Sequence, residues 1–190
     1  SSRILNHLAN ICEFPVNVVS LTGGVNYYLP NTRSSIFNAK LYLTPAPLLM
    51  ASEDIVKAME QEPSVKQIRH MATLAQMSIV GIGGVDSNAT LLTNGTLNHS
   101  DVLLLSMQGA VGDMLCHFID KDGNVIQSSL ERRLMSTPLE QLKEMNNSIG
   151  VAGGSTKSEA ILAALKGNYL DVLITDETTA TNVLRLKNQE

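Results

Sequence analysis

The sequence predicts an α/β protein with a Rossmann-like, mostly parallel sheet covered by helices on both faces. Three observations carry that prediction. Aliphatic, β-branched runs alternate with helical patterns along all 190 residues, which is the signature of strands joined by right-handed crossovers. Glycine-bearing turns follow three of the strand patterns, at 22–24, 83–86 and 153–155. The composition, 44% hydrophobic but only 4% aromatic, suits the aliphatic interior of a parallel sheet.

The elements follow in order. Ser1 to Leu8 has helical spacing, with Ile4, Leu5 and Leu8 on one face. A helix with no strand before it, and no initiator methionine, suggests a fragment whose upstream part is absent. Val16 to Leu21 is a β-branched strand ending in Thr22-Gly23-Gly24, followed by a polar loop with Tyr27, Tyr28, Pro30, Asn31 and Arg33. A short helix is expected over Ser34 to Ala39, and Lys40 to Thr44 is the next strand. Pro45 and Pro47 stop it, because proline cannot continue a central ladder. Ser52 can cap a helix to Gln61, and Pro63 at a first helical position opens another to about Gln76.

Met77 to Gly83 is a third strand. Ala89 to Ser100 reads as a polar loop, after which Ser100 or Asp101 caps a helix over Val102 to Met107. Met114 to Ile119 reads as one strand closed by the turn Asp120-Lys121-Asp122-Gly123, with Val125-Ile126 as its return. Thr137-Pro138-Leu139-Glu140 combines cap, proline and reciprocal glutamate, a strong helix start. Then come a strand over Ser148 to Ala152, a helix from Thr156 to Lys166 with Gly167 as C-cap, a strand over Asp171 to Thr175 and a helix from Glu177 to Lys187. No internal linker or repeat interrupts the series, so residues 1–190 are expected to form a single domain.

Charge and cysteine usage narrow the function classes. A formal net charge of -4 with scattered basic residues lacks the footprint of a nucleic-acid surface. Only Cys12 and Cys116 are present, and no apolar run has membrane-spanning length. The expectation is a reduced, cytoplasmic protein with no membrane partner.

The segment from Ile149 to Ile161 carries the most chemistry. It reads as a strand that breaks at Gly153-Gly154 and restarts as a helix, with Lys157 in the first turn. A cation is unfavourable at the positive end of a helix unless an anion lies between the two. It is not a Walker loop, since Thr156 precedes the lysine and Val151 stands where the first glycine belongs. Gly81-Ile82-Gly83 fails the dinucleotide fingerprint, because Asp86 takes the third glycine position. Two readings of 153–159 remain: an anion cradle, or a strand-to-helix turn closed by a Thr156–Glu159 capping box. Asp113, after Gly109-Ala110-Val111-Gly112, can likewise accept from sugar hydroxyls or cap local backbone N–H groups. Asp176 fits a cap of the last helix. Cys116 and His117 are neighbours on the expected strand and face opposite ways, so they cannot share a metal. His7, His70 and His99 have no partner at ligand spacing. Neither a metal nor another cofactor is implied.

Together, Gly109-Ala110-Val111-Gly112-Asp113, Val151-Ala152-Gly153-Gly154-x-x-Lys157-x-Glu159-Ala160-Ile161 and Leu173-Ile174-Thr175-Asp176-Glu177-x-x-Ala180 resemble the C-terminal effector domain of SorC/DeoR-type bacterial transcription regulators. Leu21-Thr22-Gly23-Gly24, Pro45-Ala46-Pro47 and Val80-Gly81-Ile82-Gly83 fit in the same order. The resemblance spans nearly the whole chain and is nearest to regulators of sorbose-type operons. It implies a fold similar to sugar-phosphate isomerases and deaminases, used for sensing and not as an enzyme, with a phosphorylated sugar as effector. Carried over, Gly153, Gly154 and Lys157 hold the phosphate, Asp113 accepts from ligand hydroxyls, and Gly23, Gly24 and Tyr28 line the mouth. The family's N-terminal helix-turn-helix domain and first pocket strand have no counterpart here. DNA contact would run only through that domain, and a homo-oligomer, dimer or tetramer, would link effector to operator. The rival reading is an isomerase- or deaminase-like enzyme, for which Asp113 is the one general-base candidate.

Overall fold

A computed structural model of the protein describes residues 16–24, 39–85, 90–93 and 95–189. The helices expected near 1–8 and from Ser34 fall outside these residues, as do Tyr28 and the rest of its loop. Ala39 is described, and it begins a strand. The chain divides into two compact units, the first drawn from the segment up to Ala75 together with Arg133–Ser136, the second from Gln76–Arg132 together with Thr137 onward.

In the first unit, β1 (Val16–Val19) pairs in parallel with β2 (Ala39–Tyr42), Val16 opposite Ala39. Helix α1 (Glu53–Gln61) starts where Ser52 accepts from the Ile55 N–H, and Pro63 opens α2 (Pro63–Thr73). Val56 of α1, Val65 of α2, Ala46, Met50 and Met135 form the core of this unit, with Met59 packed against it. Met135 comes from the returning segment, which is tied in by Met135 N–H to Leu48 O (2.8 Å) and Met50 N–H to Arg133 O (2.8 Å).

The second unit holds a five-stranded sheet in the order β5-β4-β3-β6-β7, built from β3 (Ser78–Gly84), β4 (Gly112–Met114), β5 (His117–Ile119), β6 (Ser148–Val151) and β7 (Val172–Ile174). β3–β6 and β6–β7 are parallel, whereas β3–β4 and β4–β5 are antiparallel. The mixed α/β class expected from the sequence is therefore the class observed. The helices are α3 (Thr90–Thr93), α4 (His99–Met107), α5 (Leu139–Lys143), α6 (Ser158–Lys166) and α7 (Glu177–Lys187). Strand β3 alternates, with Ser78, Val80, Ile82 and Gly84 buried. Helix α6 packs against β3, β4 and β5, burying Ala160, Ile161, Ala163 and Ala164. On the other face of the sheet Ile79, Val172 and Ile174 are each more than a third exposed.

Several local expectations are corrected. The single strand expected over Met114 to Ile119 is two strands, β4 and β5, folded at a two-residue turn in which Leu115 and Cys116 have φ of 51° and 70°. Two positive φ values are the geometry of a tight hairpin, and neither residue is one that advertises it. Cys116 is therefore in a turn, and only His117 is on a strand. Helix α4 starts earlier than expected, because Asn98 and Asp101 close a reciprocal capping box (3.0 Å each way). Helix α5 has Pro138 and not Thr137 at its N-cap, with no side-chain cap bond, so the expected box does not form; Glu140 is paired instead with Lys143 at 3.1 Å. The polar loop from Ala89 contains the short helix α3.

The contact of α6 with β4 depends on Gly112. A Cβ there would collide with the Ala160 side chain and stand 2.8 Å from the Gly83 carbonyl. A Cβ at Gly83 would instead meet the Asp113 carboxylate, a movable side-chain end. Gly112→Ala is expected to lower unfolding free energy in urea by about 3 kcal/mol. Gly83→Ala should cost less than about 1 kcal/mol while displacing Asp113, a contrast that urea titrations of both variants will read directly.

Candidate functional site

The parallel run β3–β6–β7 puts three strand ends on one rim of the second unit: Gly83-Gly84 closing β3, Gly153-Gly154 after β6 and Thr175-Asp176 after β7. Carboxyl ends of parallel strands are where open α/β sheets bind ligands. A 3-10 turn, Ser155–Lys157, separates the glycine pair from α6, with Gly154 as its N-cap. The Thr156–Glu159 capping box is absent; α6 has no side-chain cap bond. Gly154 has φ of 107°, which only glycine adopts without strain. A Cβ on it would face open space, with nothing within 4 Å.

Lys157 is half-buried at the end of that turn. Its Nζ donates to the Ile82 carbonyl at 3.0 Å, and its backbone N–H to the Gly154 carbonyl at 3.0 Å. The ammonium is thereby held at the end of β3, beside Asp113 of β4. Asp113 pairs with Gly83 across the antiparallel β3–β4 ladder. Part of its surface remains accessible, yet its carboxyl is crowded by protein. Loss of water pushes its pKa up to about 6, against the opposing pull of the Cys116 N–H, Lys157 and His117. Its Oδ2 accepts from the Cys116 N–H at 3.3 Å, so the local-cap reading of Asp113 is realised and leaves Oδ1 outside that bond. Burial, then Asp113, push the Cys116 thiol up to about 12, which leaves it an unreactive thiol.

The glycine pair is not simply a cradle of free N–H groups. Gly154 N–H donates to Asp176 Oδ2 (3.0 Å) and Thr179 Oγ1 (2.8 Å). Asp176 also caps α7, accepting from the Thr179 N–H at 2.8 Å. The Thr179 hydroxyl and amide, then the Gly154 amide, hold the Asp176 carboxyl below the usual range. Sequence reasoning found the cap but missed the link to Gly154. The signal was available in part: strands at 148–152 and 171–175, if adjacent and parallel, bring their following residues side by side.

Gly23 and Gly24 belong to the first unit. Gly23 N–H donates to Met135 O (2.7 Å) and Gly24 N–H to Ala46 O (2.9 Å). A Cβ on Gly23 would lie 2.5 Å from the Pro47 carbonyl oxygen, and Gly24 has φ of 97°. Tyr28 lies outside the described residues. His117, buried on β5, is engaged on both sides: Nδ1 lies 2.7 Å from Glu131 Oε1 and Nε2 3.0 Å from Thr137 O. Among the described residues no group of three or more His, Cys, Asp or Glu is placed to hold a metal ion, and no helix is long and apolar enough to cross a membrane.

Comparison with known proteins gives this geometry a context. Residues 2–185 match the family model described as "Putative sugar-binding domain". Over 186 residues the chain is 36% identical to the transcriptional regulator LsrR of Klebsiella pneumoniae, covering 96% of this chain and 58% of that protein. The chain thus spans little more than half the length of that relative. Among solved structures, a DeoR family transcriptional regulator from Listeria monocytogenes superposes with a TM-score of 0.84 at 21% identity, covering 96% of this chain and 74% of that one. A domain of a possible sugar-binding transcriptional regulator from Arthrobacter aurescens gives 0.76 at 27% identity, covering 88% and 68%. The chain belongs to the sugar-binding domain family found in SorC- and DeoR-type transcriptional regulators.

Proposed function

We propose that residues 1–190 are the effector-sensing domain of a cytoplasmic DNA-binding regulator of carbohydrate metabolism, and that the effector is a phosphorylated sugar. The observation that carries this reading is the Lys157 ammonium held on the Ile82 carbonyl at the rim where β3 and β6 end, with the Asp113 carboxyl within its electrostatic reach. A lysine ammonium beside a glycine turn suits a phosphate, and a carboxylate a few residues of sheet away suits sugar hydroxyls. Gly154 leaves room in the turn that leads to Lys157, since a Cβ on it would have nothing within 4 Å, and Gly153 precedes it on the same rim. A role for Gly23, Gly24 and Tyr28 at the mouth rests on the family resemblance. DNA contact belongs to parts of the longer protein beyond these residues, and sugar binding shifts a dimeric or tetrameric equilibrium that positions them.

An isomerase- or deaminase-like reaction has one observation in its favour: a carboxyl titrating near 6 is suited to proton transfer at neutral pH. Against it, His117 is fully engaged with Glu131 and Thr137 and is not available as a second acid–base group. Sensing without turnover is the reading we adopt. Incubation with pentose and hexose phosphates, followed by NMR, should show unchanged isomer ratios; sustained conversion would overturn it.

Two outcomes test the site. A phosphorylated sugar at a hundred times its dissociation constant should stabilise the protein by roughly 2.7 kcal/mol. Lys157→Ala should remove that thermal shift for phosphorylated sugars; an unchanged shift would place the anion elsewhere.

Asp113 sets the pH dependence. Its folded pKa is raised from 3.8 to about 6, so the fold prefers the protonated form. The corresponding stability is fully present below 3.8 and is lost as pH rises through 6. The loss is on the order of 2–3 kcal/mol. Asp113→Asn should flatten that part of the stability curve, measured by urea unfolding between pH 4 and 8, and weaken sugar phosphate binding at pH 8.

A further inference from the structure

An N-cap needs one oxygen of Asp176, and the cap uses only Oδ1, which accepts the Thr179 N–H. The other oxygen, Oδ2, accepts from the Gly154 N–H at 3.0 Å and from the Thr179 hydroxyl at 2.7 Å. The Thr179 hydroxyl oxygen in turn lies 2.8 Å from the same Gly154 N–H. Thr179 is fully buried, at 0% exposure. A buried hydroxyl costs stability unless it is bonded, and this one is spent on a turn 25 residues away. The network also excludes a side chain at Gly153, where a Cβ would come within 2.7 Å of Asp176 Oδ2.

Gly154 is therefore gripped from both sides. Its N–H is fixed by α7, and its carbonyl accepts the Lys157 N–H at 3.0 Å. Lys157 then spans to Ile82 O with its ammonium. We infer that Asp176 and Thr179 are positioning residues for Lys157: they clamp Gly154 in its left-handed conformation and so aim the ammonium at the rim where β3 ends. The inference rests on the reading of Lys157 as the phosphate anchor and deepens it. The Gly154 amide is committed to the protein, so the phosphate is met by the ammonium and not by that N–H. The chemistry of the first contact is thereby set by a side chain that α7 aims.

The test uses the whole 190-residue chain, three variants and two readouts. Asp176→Asn keeps an oxygen for the α7 cap but puts an NH2 where Oδ2 accepts. Thr179→Val removes the hydroxyl, and Thr179→Ser restores it. Amide exchange at Gly154 and Lys157 reports the clamp without any ligand. NMR titration with glucose 6-phosphate, ribose 5-phosphate and inorganic phosphate reports binding. Exchange at Gly154 should rise about tenfold in Asp176→Asn and Thr179→Val, and affinity for the bound probes should fall about tenfold, with Thr179→Ser close to the parent. Circular dichroism confirms that α7 persists. Unchanged Gly154 exchange, unchanged affinity despite faster exchange, or a Thr179→Ser variant as weak as Thr179→Val would each overturn the inference. So would a phosphate-bound protein in which the Gly154 N–H has moved to the phosphate. If the parent binds none of the three probes while exchange responds as stated, the clamp stands and the effector reading is what fails.

Discussion

The second unit depends on one close approach, that of α6 to β4 at Gly112. Nothing larger than hydrogen fits between the strand and Ala160. That contact sets the height of α6 above the sheet, and α6 begins directly after the turn that carries Lys157. The same strand, one residue on, carries Asp113, whose carboxyl lies over Gly83 for the same reason: a side chain there would displace it. Two missing side chains, at Gly83 and Gly112, therefore bring a lysine and an aspartate from different elements into one electrostatic neighbourhood. Packing is the cause and the nearness of the two charges its consequence.

The charges are held in a state of partial compensation. Lys157 sits at the start of α6, where the helix dipole opposes a cation; the Ile82 carbonyl and the Asp113 carboxyl offset that cost. Asp113 is itself held against the loss of water, which is why its pKa rises although Lys157 is nearby. A carboxyl held against the loss of water is a cost that the core does not require, since Met114 beside it in sequence and Phe118 opposite it on β5 are already buried. Groups perturbed in this way concentrate at binding and catalytic sites. His117 shows the contrasting case. It is polar and more deeply buried, but both ring nitrogens are matched to Glu131 and Thr137, and these bonds fasten β5 to its neighbours.

How much of this was legible in the sequence follows from the range over which each signal acts. Ser52, Pro63 and Asp176 mark helix starts by chemistry confined to four residues, and α1, α2 and α7 begin where those residues predict. The strand ends were legible only approximately: β1 stops at Val19 and β2 at Tyr42, short of Leu21 and Thr44, while β3 runs on through Gly83 to Gly84. The β4–β5 turn was not, because Leu115 and Cys116 adopt positive φ under the demand of the flanking strands and not from any preference of their own. Thr137 and Glu140 look like a capping box, but α5 is capped at Pro138 with no side-chain bond and Lys143 takes Glu140. Likewise Asp176 advertises its cap and conceals its bond to Gly154, a residue 22 positions earlier. Tertiary partners decide what local patterns only offer.

The topology explains why that concealed bond exists at all. Strands β6 and β7 are parallel neighbours, so the residues that follow them emerge side by side at one edge. Each must turn into a helix within a few residues, and each turn leaves backbone N–H groups without a helical acceptor. The Gly153-Gly154 turn resolves this by borrowing a carboxylate from the next crossover, and α7 uses the same carboxylate for its own start. One aspartate thus satisfies two helix-entry turns. Because Gly154 then has no freedom left in its N–H, and Lys157 is bonded to its carbonyl, the rigidity of α7 is passed on to the lysine through two hydrogen bonds. A flexible, four-carbon side chain becomes a defined feature of the rim by this route, with its base fixed by α7 and its tip by the carbonyl of Ile82.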